Sequence, residues 1–143
     1  MILESDGVKS MSEESRTYLV RGSVEPASDE TPFSPTWTTR GEIEGFVPFD
    51  GMVMQSVIGG KLMANWVSIE PHKVVPRHQH PHEQLGIMLE GQLELTLGNE
   101  TRLLNPGDAY TIPPNLPHSA RTLEQPCVVL DIFTPVREDY ARK

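Results

Sequence analysis

An all-β barrel or sandwich is the fold class that this 143-residue sequence predicts, and three observations predict it. From about Trp37 onward, short apolar runs are punctuated by Gly, Pro, Asn and Asp roughly every 8 to 12 residues, the spacing at which antiparallel strands and their turns alternate. In "QLELTLGNETRLL", Leu93, Leu95 and Leu97 alternate with Gln92, Glu94 and Thr96, so one face of a strand is apolar and the other wet. No long helical period competes.

The elements follow in order. "MANWVSIE" and "QLGIMLEG" are runs of strand length, and Gly98-Asn99 turns the chain between "QLELTL" and "ETRLL". "NPGD", Asn105 to Asp108, makes a tight turn through Pro and Gly before the strands "AYTIPP" and "VVLDIF". No internal repeat or low-complexity tract interrupts them. Ahead of this domain, residues 37–143, lies a polar arm, residues 1–36. Its first 30 residues carry seven acidic and three basic side chains, a composition that docks late or stays mobile, although "RTYLVRG" can make one short strand. Met11, followed by "SEESR", is a second candidate start.

Composition excludes several classes of function. A chain of this length with 37% apolar residues and two Trp buries one moderate core, so a single domain is expected. A net charge of -8 repels polyphosphate backbones and anionic lipid heads, which argues against nucleic acid and membrane partners. The one cysteine, Cys127, leaves no internal disulfide, and its place in "CVVLDIF" is that of a small buried thiol. No apolar run approaches the roughly 20 residues of a membrane span, and "MILESDGVKSMSEESR" lacks the apolar centre of a signal peptide, so a cytoplasmic location is expected.

The chemistry concentrates in "HQHPHEQ", residues 78–84, which holds three of the five histidines. On one straight strand His78 and Gln84 would stand roughly 20 Å apart, whereas metal–ligand bonds are about 2 Å long. The chain must therefore fold back near Pro81, with His78 and His80 ending one strand, His82 in the turn and Gln84 opening the next. Parity does not survive a turn, so either Glu83 or Gln84 can be the third ligand. A fourth can come from His118 in "TIPPNLPH", where Pro113, Pro114 and Pro117 stiffen the approach and reduce the entropy lost in holding an imidazole.

These residues resemble the cupin superfamily, whose motifs are G-x5-H-x-H-x3,4-E-x6-G and G-x5-P-x-G-x2-H. His78, His80, Gln84 and Gly91 follow the first motif, and Gly107, Pro113, Asn115 and His118 follow the second. Three positions depart from it. His72 stands at the first glycine, Gln84 at the usual glutamate, and Asn115 at a glycine where a left-handed turn accepts Asn. The resemblance covers about residues 37–135 and implies a jelly-roll barrel. The tail "LDIFTPVREDY", with "HPHEQLG" and "IPPNLPH", is further similar to the KdgF-type pectin-degradation cupins, which convert 4,5-unsaturated uronates to linear 5-keto-4-deoxyuronate.

That resemblance implies a divalent transition metal ion (Ni, Zn, Fe, Mn, Co or Cu) held by His78, His80, Gln84 and His118, with Asp131, Phe133 and Arg137 at a small anionic sugar-acid substrate. It also implies a homodimer. Residue chemistry adds its own expectations: Asp131 interrupts an apolar strand and must be paired, exposed or functional, with Arg137 as a partner, while Phe133 and Trp66 have the character of core residues. Two other functions use the same ligands, a metal-dependent dioxygenase and a non-catalytic sugar or metabolite sensor.

Overall fold

Apolar side chains at alternate positions set the strands of the computed structural model, which describes residues 33–141. Among them are nine strands: β1 (Met52–Ile58), β2 (Met63–Ile69), β3 (Val74–His78), β4 (Glu83–Glu90), β5 (Leu93–Leu97), β6 (Glu100–Leu104), β7 (Ala109–Ile112), β8 (His118–Arg121) and β9 (Cys127–Thr134). They pair antiparallel in two sheets, ordered β1-β2-β9-β4-β7 and β3-β8-β5-β6. The only helical element among the described residues is a short 3-10 turn, Arg40–Glu42. The fold is thus the all-β, two-sheet class expected. No helix among the described residues is long and apolar enough to cross a membrane.

β2, β4, β5, β6, β7 and β9 coincide with the expected strand stretches, whereas β1 and β8 go beyond them. β8 carries only His118, Ser119, Ala120 and Arg121, and its extended form comes from pairing with β3 on one side and β5 on the other. The arm through residue 32, the strand expected at residues 16–22 and Met11 lie outside the described residues.

The inward faces close on each other. Met52, Met54, Val67, Ile69, Met88, Cys127 and Val129 of the larger sheet pack against Leu93, Leu95 and Leu104 of the smaller. Burying such side chains is the main favourable term of a fold this size. Leu93 and Leu95 take the inward places that their alternation demands. Cys127 is buried, and desolvation followed by the Asp131 charge pushes its thiol up to about 11, leaving it a protonated, unreactive filler. Trp66 departs from expectation. The inward residues of β2 are Met63, Asn65, Val67 and Ile69, so Trp66 lies on the outer face with the Arg40 guanidinium 6.0 Å from its ring centroid.

Left-handed backbone positions shape the connections around the site. Gly91, between β4 and β5, has φ +72, and a Cβ there would lie 2.0 Å from the Pro126 carbonyl oxygen, so no other residue fits without displacing backbone. His72 (φ 57) and Asn115 (φ 64) occupy the two motif glycine positions, and both take the left-handed conformation that glycine would have supplied. At Asn115 this conformation lets its N–H donate to the His80 carbonyl at 2.8 Å, tying the proline-rich loop to the histidine loop. Asn115→Gly should leave the urea midpoint nearly unchanged. Asn115→Val, whose branched Cβ resists positive φ, should lose on the order of 1–3 kcal/mol in the same titration.

Candidate metal centre

Two of the histidines are brought together by strand pairing itself. Val75 of β3 faces Ala120 of β8, but the next pair in register is His78 with His118, so β3 carries one extra residue against β8. This bulge, at Pro76 and Arg77 on an edge strand, sends Arg77 to solvent and turns His78 inward. The imidazole centroids of His78 and His118 then lie 4.2 Å apart. His80 lies just beyond the end of β3, in the loop that folds back to β4, with its ring 4.9 Å from that of His118. Ligand nitrogens of the three rings fall within 4.8 Å of one another, so His78, His80 and His118 can hold a metal ion.

Backbone carbonyls decide which nitrogen each ring offers. Nδ1 of His78 lies 2.7 Å from the Pro76 oxygen, Nδ1 of His118 lies 2.7 Å from the Leu116 oxygen, and Nδ1 of His80 lies 3.1 Å from the His82 oxygen. A carbonyl only accepts, so each Nδ1 carries the proton and each Nε2 keeps its lone pair. Nε2 of His118 is buried without a partner. Nε2 of His80 sits 3.0 Å from Gln84 Oε1, so two acceptors face each other unless a cation lies between them. The donor set therefore fits a divalent transition ion. His82 serves through its carbonyl, while its ring stands outside the trio.

Burial keeps the ligands neutral. Desolvation, then the charges of Arg137 and His118, push His80 down to about 4, and desolvation also lowers His118. Of the two candidates for the third position, Gln84 is buried and turned inward, whereas Glu83 is exposed. Gln84 Oε1 faces His80, and its side chain lines the same cavity as Asp131 and Tyr110, where it acts to lower the pKa of both.

Asp131 does not pair with Arg137 as the sequence suggested. Tyr110 Oη donates to Asp131 Oδ1 at 2.6 Å, and burial raises the carboxyl above its ordinary value. Arg137 instead grips Asp139, Nε to Oδ1 at 3.2 Å and Nη2 to Oδ2 at 2.6 Å. Its guanidinium lies 3.8 Å above the Tyr140 ring and 5.3 Å from Phe133. Burial acts to raise Asp139, yet the hydrogen bonds and charge of Arg137 hold it below the usual carboxylate range. Phe133 is buried and meets the His80 ring edge-on at 5.6 Å.

These side chains, His80 apart, line one cavity of about 420 Å³, which also contains Met52, Met54, Val67, Ile69, Leu93 and Leu95. One part is polar and the other aliphatic. Tyr110, Asp139 and Tyr140 are the members that sequence reasoning missed. Asp139, two residues from Arg137 in "VREDY", was the nearer carboxylate and the legible signal; Tyr110 left none that is local. Asn65 was missed as well: fully buried opposite Asp131, it accepts from Ser56 Oγ and leaves its Nδ2 unpartnered among the described residues.

A two-sheet barrel with inward histidines from two separated motifs defines the class of small β-barrel proteins suited to binding a metal. Comparison with known proteins narrows that class. A family model described as a cupin domain matches residues 65–133. The structure of KdgF from Halomonas sp. superposes with a TM-score of 0.72 at 32% identity, covering 76% of this chain and 100% of that one. The chain belongs to the cupin family. Among curated proteins it is 36% identical over 64 residues to the pectin degradation protein KdgF of Dickeya dadantii, covering 44% of this chain and 58% of that one. It is 39% identical over 66 residues to the H2HPP isomerase of Bacillus subtilis, covering 45% of this chain and 28% of that one.

Replacing His78, His80 or His118 by Ala should each remove most bound metal, measured by elemental analysis of protein purified without chelator. His82→Ala retains its carbonyl and should keep the ion. In metal-free protein, His80 stabilises the fold fully above its unfolded value of 6.5. That contribution should be lost as pH falls toward about 4, because in this window the unfolded chain binds the proton first. Urea midpoints across the window, compared with His80→Ala, measure it as a shallower pH dependence in the variant.

Proposed function

We propose that the protein is a metal-dependent cupin enzyme that linearises 4,5-unsaturated uronates to 5-keto-4-deoxyuronate. The observation that carries this is a cavity where His78, Gln84 and His118 meet the Asp131 carboxyl and the Arg137 guanidinium, with His80 adjoining to complete the neutral donor set. Similarity to two KdgF proteins supports the choice of substrate class. A divalent ion bound there supplies Lewis acidity toward substrate oxygens, its charge uncompensated by four neutral ligands.

The reaction is an internal redistribution of one proton. The anomeric hydroxyl loses its proton as the bond from the anomeric carbon to the ring oxygen breaks, giving an aldehyde and an enol. Protonation at C4 turns the enol into the ketone, and nothing is oxidised or reduced. Asp131 takes and returns that proton. Tyr110 engages Oδ1, and a carboxyl raised by burial holds a proton more readily than an exposed one. Arg137 binds the substrate carboxylate through the Nη1 side of its fork, which Asp139 does not engage. Phe133 gives the sugar ring an apolar wall.

A second reading is favoured by the aliphatic part of the cavity, Met52, Met54, Val67, Ile69, Leu93 and Leu95. There the substrate is an acid that carries an apolar group, and similarity to an isomerase supports retaining that reaction class.

Decay of the unsaturated uronate chromophore in the presence of metal-loaded protein, without oxygen uptake, is the expected outcome. Asp131→Asn should lose on the order of 10² to 10⁴ in rate, the usual contribution of a positioned acid or base. Arg137→Lys keeps charge but loses the planar fork, and should raise KM more than it lowers kcat. An unchanged chromophore would sink the uronate assignment, turnover of an aryl or alkyl keto acid would favour the second reading, and oxygen uptake would transfer the site to the dioxygenases.

A further inference from the structure

One polar row crosses an otherwise apolar sheet. Strand register places Ser56 beside Asn65, Asn65 beside Asp131, Asp131 beside Gly86, and Gly86 beside Tyr110. The neighbouring inward row, Met54, Val67, Val129 and Met88, is apolar throughout. Polar groups in such a place are costly unless they bond to one another.

Gly86 is the reason that Asp131 and Tyr110 can bond. They sit on β9 and β7, with β4 between them. A Cβ on Gly86 would lie 2.0 Å from Tyr110 Cζ and 2.3 Å from its oxygen, so the phenol ring lies across the space that glycine leaves empty. Gln84 stands on the same face of β4, two residues from Gly86, and lines the same cavity as Asp131 and Tyr110, so with Oε1 toward His80 its amide nitrogen is the end left for them.

An amide side chain has two chemically different ends that sterics scarcely distinguish. With its nitrogen toward the histidines, Gln84 would present hydrogens to a metal. With its oxygen there it is a ligand. An ionised carboxylate accepts and never donates, so a fixed Asp131 admits only the Gln84 nitrogen on its side and turns Oε1 toward His80, where it lies 3.0 Å from Nε2. We propose that Asp131 and Tyr110 form a positioning pair for the ligand set: Tyr110, laid across Gly86, holds the Asp131 carboxylate, and the carboxylate fixes the Gln84 amide with its oxygen toward the metal. The inference rests on the metal reading of the histidine site, and gives Asp131 a task separate from proton transfer.

Co(II) tests it without any substrate. Wild-type, Tyr110→Phe and Asp131→Asn proteins, stripped with chelator, are titrated with Co(II) against a chromophoric chelator, and their visible d–d spectra and metal-free melting curves are recorded. Tyr110→Phe keeps the ring across Gly86 and every charge. It should bind Co(II) about 10-fold more weakly with an altered d–d spectrum, the range in which partners of metal ligands act, while the metal-free protein retains a cooperative melt. Asp131→Asn lets the neighbouring amide donate as well as accept, and should shift the spectrum in the same sense. Gly86→Ala, which displaces the ring, should reproduce the Tyr110→Phe spectrum. Wild-type affinity and spectrum in Tyr110→Phe would overturn the proposal while leaving the metal reading intact. Failure of the wild-type protein to bind Co(II) would overturn both.

Discussion

Strict two-residue alternation of side chains is the constraint on which this molecule depends, together with the single place where β3 breaks it. Along most of β2 and β5, alternation puts aliphatic groups inward and polar groups outward. Between Val75 and His78 one extra residue enters β3, and an imidazole replaces what would have been the inward-facing Arg77 opposite His118. A cation there would oppose any metal ion. The bulge thus replaces a repulsive position with one that can ligate, and the location of β3 at a sheet edge lets it do so without disrupting a second neighbour.

Around that break, the barrel carries polar groups that its apolar interior disfavours. Three imidazoles, a primary amide, a carboxyl, a phenol and a guanidinium converge within it. Each is offset by a specific partner: carbonyls for the three Nδ1 atoms, Tyr110 for Asp131, and Asp139 with the Tyr140 face for Arg137. At the three-histidine cluster itself, the atoms left over are acceptors: the His118 Nε2, and the His80 Nε2 that meets Gln84 Oε1. Unpaired acceptors in one place are what distinguish a site prepared for a cation from a merely buried polar cluster.

Much of this was legible in the sequence because it is written locally. Alternation in "QLELTL" and turns at Gly and Pro identify strands, and the order His78, His80, Gln84, His118 falls on two motifs. Even the departures at His72 and Asn115 kept the left-handed backbone of the glycines they replace. What could not be read depends on strand order. Tyr110 reaches Asp131 only because β4 separates β7 from β9 and presents glycine at the crossing point, a relation among three distant segments. The choice between Glu83 and Gln84 needed the exact start of β4, since one residue of slip reverses every side chain. For Arg137, chemical suitability pointed to Asp131, and the chain used the nearer Asp139.

The three acceptors that fix the imidazole tautomers, at Pro76, His82 and Leu116, are all main-chain atoms. Every amino acid carries the same carbonyl, so no substitution at those positions deletes the acceptor, and only a change in backbone path can withdraw it. Evolutionary drift can therefore rewrite these three side chains while proton placement on the rings persists. Residue-by-residue mutational scanning would score them as dispensable, although the electronic state of the site is anchored there. In this barrel the conformation of the chain, more than the identity of its residues, stores the instruction for how each histidine presents itself.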